Sequence, residues 1–189
     1  PVHASSQLPV EQPISTAGMV LIHEGIFHPG AEDLDALDNE RPQHAVHLAA
    51  YWIDQHPVTI ADYAQFLEAG GYHNSQWWHP DGWAWVQRHH ITQPLYWQDP
   101  AVYGTHPVCG VSWYEADAYA CFVGKRLPTE TEWEKAARWH PQQQVTMAMP
   151  WGDQPWDESR ANIDGRHHGT TPVGQFAAGR SRSGCDDML

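Results

Sequence analysis

Between Ala45 and Ile53 polar and apolar side chains alternate, the period of a strand with one buried face and one in water. Upstream, the apolar runs Met19-Val20-Leu21-Ile22 and Gly25-Ile26-Phe27 flank a tight turn, so an early antiparallel sheet is predicted. The stretch Ala31 to Pro42 is acidic and lacks apolar spacing, which marks a solvated loop. Three later stretches are helices announced by their caps: Thr59 before Ile60 to Ala69, Ser112 before Trp113 to Val123, and Thr129 before Glu130 to Trp139. Each cap has an acid three residues on, at Asp62, Glu115 and Glu132. The last two pairs are capping boxes, in which the hydroxyl accepts from the third amide and the carboxylate accepts from the cap amide. Gly70 and Gly124 follow as left-handed stops. Trp113, Ala116, Ala120 and Val123 fall on one face of the second helix, which is therefore predicted to be core. Beyond Arg138 the periodicity stops, and Pro141, Pro150, Gly152, Pro155, Gly165, Gly169, Pro172 and Gly179 read as loops around short strands.

Two to three helices, short antiparallel strands and a large irregular share make an α+β domain. The aperiodic Pro, Ser, Gln and Ala mixture of residues 1–17 reads as a linker or arm, with the domain occupying 18–189. Eleven Trp beside 15 Gly and 15 Pro point to aromatic clusters held by irregular loops. A formal charge of −13 repels phosphate backbones and anionic lipid, so neither nucleic acid nor membrane is an expected partner. No run approaches the roughly 18 to 20 apolar residues that cross a bilayer, and the sequence does not open on a charged n-region followed by an apolar h-region. Cys109, Cys121 and Cys185 are widely spaced without a C-x-x-C pair, which fits a reduced, cytoplasmic setting. The start at Pro1 and the stop after a turn-like Ser-Gly-Cys-Asp-Asp run both read as cut ends.

Several runs together carry a family resemblance. His106-Pro107-Val108, Val111-Ser112-Trp113-Tyr114-Glu115-Ala116, Gly124-Lys125-Arg126-Leu127-Pro128-Thr129-Glu130 and Glu132-Trp133-Glu134-Lys135-Ala136-Ala137-Arg138 resemble the formylglycine-generating enzyme, or sulfatase-modifying factor, superfamily. Pro150-Trp151-Gly152-Asp153, Ala161-Asn162-Ile163 and Thr171-Pro172-Val173-Gly174 follow in that family's order. Within it, Asp38-Asn39-Glu40-Arg41-Pro42 with His44, Gly70-Gly71-Tyr72, Trp77-Trp78, Gly82-Trp83-Ala84-Trp85 and Leu95-Tyr96-Trp97 are similar to the C-terminal domain of hercynine oxygenases of ergothioneine biosynthesis.

The resemblance implies a C-type-lectin-like fold that is incomplete at its C-terminus. It also implies a non-haem iron, oxygen-dependent sulfoxide synthase joining a thiol donor to hercynine. In that family the Fe(II) ligands lie in a histidine-bearing helical domain ahead of this one, and the substrate contacts lie beyond Leu189. No catalytic residue is therefore carried over, and the chain alone is expected to be inactive. The alternatives are a formylglycine-generating or other protein-modifying oxidase, and a non-catalytic lectin-like binding or structural module.

Candidate residues follow. Asn162, Ile163 and Asp164, with a carbonyl of Arg166 or His167, resemble the family's Ca²⁺ loop, although an Asx-turn would use the same side chains. Trp77, Trp78, Trp83 and Trp85 are either a loop core or rings that stack on the trimethylammonium group of hercynine. Trp113, Trp133 and Trp151 are expected to pack, and Lys125-Arg126 to bind acids or carbonyls. Cys121 and Cys109 are expected to be buried and Cys185 exposed. The 14 histidines lack the i, i+4 helical spacing of a metal pair; His44 and His47 would face opposite sides of a strand, and the pairs His89-His90 and His167-His168 diverge.

Overall fold

The computed structural model describes residues 15–32, 37–163 and 165–189; most of the N-terminal arm and Asp164 lie outside them. Strands β1 (Met19–Ile22) and β2 (Gly25–Phe27) run antiparallel to β4 (Tyr51–Asp54) and β3 (Val46–Leu48), respectively. Ile22 opposes Tyr51 and Gly25 opposes Leu48, so both pairs keep one register and form a single ribbon interrupted in the middle. The apolar runs thus pair with the alternating segment instead of with each other. Along β3 the predicted alternation holds, with His47 outward between half-buried Val46 and Leu48.

The three predicted helices are α1 (Ile60–Glu68), α4 (Trp113–Phe122) and α5 (Glu130–Arg138). All three open with reciprocal capping boxes, the Thr59–Asp62 pair included. Gly70 and Gly124 follow α1 and α4 in the left-handed region, at φ 77° and 72°. Two further helices raise the count above the predicted two to three: α2 (Pro80–His89) and α3 (Pro100–Tyr103). Their N-termini carry proline at the first helical position, where its missing N–H has no partner to lose. His79 Nδ1 accepts from Asp81 N and Asp99 Oδ1 from Ala101 N. A minimal hairpin of β5 (Trp139–His140) and β6 (Val145–Thr146) follows α5.

Two cores result. In the first, α1, α2 and α4 bury Tyr63, Phe66, Tyr72, Trp78, Val86 and Ala118. In the second, α5 lays Ala136 and Ala137 on the inner face of the β1–β4 ribbon, against Ile22, Cys185 and Met188. The last residues are bound back to the ribbon, where Asp186 N donates to Gln55 O.

The predicted face of α4 is corrected. Glu115, Ala118 and Ala120 are its buried residues, while Trp113 is 60% exposed. The helix is rotated because Glu115, read only as the acid of a capping box, is the residue that goes inside. Trp133 is likewise exposed, and of the three motif tryptophans only Trp151 is buried. Two of the thiols are also reversed: Cys121 is exposed and Cys185 fully buried, while Cys109 is half-buried. Cys121 follows Ala120 by one helical step of about 100° and so leaves the core side, whereas the turn of residues 181–185 folds inward, with Ser181 N donating to Cys185 O. His44 lies outside the strands, so only His47 is placed in the ribbon.

Candidate functional site

The four candidate tryptophans surround the first core. Trp78 is buried and donates its indole N–H to Gly71 O at 2.7 Å. A Cβ on Gly71 would lie 2.5 Å from the Phe66 ring, so glycine is what permits this approach. Trp77, half-buried, meets Phe66 and Phe122 edge-on. Trp83 and Trp85 sit on α2, also half-buried, with Trp83 6.3 Å from Trp78 and Trp85 5.9 Å from His89. Trp77, Trp78 and Trp83 thus belong to one connected aromatic cluster, while Trp85 lies at its rim beside His89.

Beneath them is a polar network that sequence reasoning missed. Tyr72 Oη donates to Glu115 Oε1, Tyr63 Oη and Tyr72 Oη are 3.1 Å apart, and Ser112 N donates to Glu115 Oε2 at 2.7 Å. Burial drives the Tyr63 and Tyr72 phenols far above their ordinary value, so both stay protonated as donors. The capping-box spacing was legible; the tyrosine partners come from 43 and 52 residues away.

A second hub closes the C-terminal turn. Asp186, 1% exposed, accepts two hydrogen bonds from Arg180 and one from Gln55 Nε2. His56 Nδ1 lies 3.2 Å from its Oδ2, off the line of a hydrogen bond. Lys125 pairs with Asp54 and Arg126 grips Glu132 with both Nη atoms, as expected of the Lys-Arg pair.

In the expected Ca²⁺ loop, Asn162 Nδ2 donates to Gly169 O at 2.9 Å and lies 3.4 Å from Thr171 Oγ1. The loop is held to the body by His106 Nδ1 against Thr170 Oγ1 and by Val173 N donating to Thr105 O. Ile163 and His167 are exposed, and the His167 ring sits 5.9 Å from Phe176. Asn162 therefore bridges the loop directly; its Oδ1 and the carbonyls of Ile163 and of Arg166 or His167 are the oxygens of the expected set that the described residues contain, and Asp164 lies outside them. Among the described residues no three His, Cys, Asp or Glu side chains converge as metal ligands, and no helix is long and apolar enough to cross a membrane.

These features define an α+β domain of short antiparallel strands and capped helices, with an aromatic core and long irregular connections. The chain belongs to the family of sulfatase-modifying factor enzyme 1-like domains, which matches residues 5–189. It is 37% identical over 195 residues to a hercynine oxygenase of Mycolicibacterium smegmatis, covering 96% of this chain and 46% of that protein. A formylglycine-generating enzyme of Thermomonospora curvata is 36% identical over 202 residues, covering 85% of this chain and 65% of that one. PvdO from Pseudomonas aeruginosa shares the fold with a TM-score of 0.62 at 24% identity, over 90% of this chain and 66% of the other. The chain thus spans about half the length of the hercynine oxygenase it matches.

Proposed function

We propose that this chain is the C-terminal domain of a non-haem iron, oxygen-dependent sulfoxide synthase that joins a thiol donor to hercynine. The observation that carries the reading is the 37% identity to a hercynine oxygenase, which extends over 96% of the chain instead of over isolated motifs. Fe(II), when bound, supplies oxygen activation, and its ligands are assigned to a histidine-bearing helical domain or subunit outside this sequence. In this reading the residues of this chain wall the pocket. Trp83 and Trp85 retain open ring surface, and they are the rings assigned to the trimethylammonium group; Trp78, whose N–H is bonded inside the core, is assigned to packing. The chain by itself is inactive in this reading. Three free thiols accord with a reduced, cytoplasmic setting.

The test is the full-length protein given Fe(II), oxygen, hercynine and a thiol donor, with the product read by mass. A sulfoxide joined to the imidazole is expected; no such product overturns the reading. Ca²⁺ at the 162–171 loop is a separate part of the proposal. It predicts a melting temperature that rises in calcium and falls in chelator, with the difference abolished in Asp164→Ala.

The likeness to a formylglycine-generating enzyme favours a second reading, a protein-modifying oxidase. That reading predicts an aldehyde on a cysteine-bearing peptide instead of a hercynine adduct.

A further inference from the structure

Buried charges in proteins are paired, because an ammonium removed from water without a counter-ion is costly. Lys135 departs from this. It is 2% exposed on α5, and no carboxylate among the described residues comes within 4.0 Å of it. Its Nζ donates to His23 O at 2.8 Å and Gly25 O at 3.3 Å, the two carbonyls at the break in the ribbon. Two of its three N–H groups are thereby accounted for, and neither partner carries charge. Burial pulls its pKa below the ordinary lysine value, the direction expected of an ammonium without a compensating anion.

Lys135 lies against a cleft of about 620 Å³, which is within the size range of small-molecule sites. Leu21, Ile26, Trp139 and Pro141 give the cleft apolar walls. Arg182 stands on the same cleft, donates one hydrogen bond to Trp151 O at 2.9 Å, and likewise has no carboxylate partner among the described residues. Of the eight other Lys and Arg side chains, six, Lys125, Arg126, Arg138, Arg160, Arg166 and Arg180, are each paired with an acid, while among the described residues Arg41 and Arg88, away from this cleft, are not. In a protein of formal charge −13, two cations without acids on one cleft is the opposite of what abundance of carboxylates would produce. Glu24 is the one acid lining the cleft, and it reaches neither cation; His23 and His28 are the other titratable groups there.

We infer that this cleft is a binding site for a carboxylate carried on an apolar stem, with Lys135 and Arg182 holding the charge and Leu21, Ile26 and Trp139 holding the stem. A carboxylate has two oxygens that can accept from an ammonium or a guanidinium N–H, and such charge-assisted bonds are the strong class. The apolar walls add affinity for the stem and exclude free inorganic anions, which prefer water. The carboxylate has two sources, a free organic acid or a glutamate side chain of an incoming polypeptide. This site is independent of the hercynine reading.

The experiment measures binding to the full-length protein by calorimetry, using two matched pairs. Phenylacetate is compared with phenylacetamide, and the blocked tripeptide Leu-Glu-Leu with Leu-Gln-Leu. Saturable binding of the acid over its amide in either pair, weakened about tenfold or more by Arg182→Gln, is the expected result and names the source. Lys135→Met should weaken binding similarly; because that change also removes the bonds to His23 and Gly25, its folding is checked by melting, and Arg182→Gln, on an exposed residue, decides the matter if it fails to fold. Equal binding of acid and amide in both pairs, absence of binding in both, or an acid preference untouched by Arg182→Gln overturns the proposal.

Discussion

Glu115 was legible as a cap and proved to be the centre of the aromatic core. Its carboxylate bonds Ser112 N and Tyr72 Oη, and Tyr72 in turn meets Tyr63. Glu115→Ala leaves a buried phenol and a cap amide without acceptors and should destabilise the domain by about 2–4 kcal/mol, while Tyr72→Phe, which removes only one donor, should cost about 1 kcal/mol. Chemical denaturation of both variants measures this; equal effects would remove Glu115 from the centre of the network. Glu132 gives a pH signature. The Arg126 fork holds its carboxyl down to about 2 from an ordinary 4.5, aided by the Thr129 cap. Because the folded pKa is the lower one, this stabilisation is complete above about pH 4.5 and is lost as pH falls toward 2. Glu132→Gln should therefore flatten stability across that window by about 1–2 kcal/mol, a figure reduced from the full shift because Arg126 is largely in water.

At the scale of elements, the strands of the ribbon and the helices α1, α4 and α5 could be read from alternation and caps, since these are local signals. The two missed helices begin at His79-Pro80 and Asp99-Pro100. Pro at the first helical position was an available signal, but the His79 cap and a run of tryptophans concealed the polar face of α2. The ribbon's pairing was beyond reach for a different reason: nothing local distinguishes a hairpin of β1 with β2 from the long-range partners each strand takes. Burial of the cysteines failed in the same way. Cys185 looked like part of an exposed turn, yet that turn is pressed against Ile22 and Ala136, and burial pushes its thiol up to about 11. Iodoacetamide at pH 8 should modify Cys121 first and Cys185 only after unfolding, as read by peptide mass; early modification of Cys185 would place the C-terminal turn elsewhere. On α2, the proposed function predicts that Trp85→Ala raises the KM of the full-length protein for hercynine by about 3- to 30-fold with little change in melting temperature, whereas Trp78→Ala should lower the melting temperature, since its ring and its bond to Gly71 O are internal. A Trp85 variant with unchanged KM would return that ring to packing alone.

For the whole molecule, the family and the α+β architecture were legible because the motifs occur in one order along nearly the entire chain, and the match of residues 5–189 agrees with them. The candidate ligand residues were less legible. Asn162 was visible as a loop residue, but its bond to Gly169 O depends on how the loop closes, and Lys135 was hidden inside a motif read as helix. The chain spans 46% of the M. smegmatis hercynine oxygenase, so the activity proposed here belongs to the longer protein. Oxygen uptake by that full-length protein, loaded with Fe(II), is the most direct measurement. The account predicts consumption that requires hercynine and a thiol together and stops when iron is chelated. Consumption supported by a cysteine-bearing peptide without hercynine would contradict it.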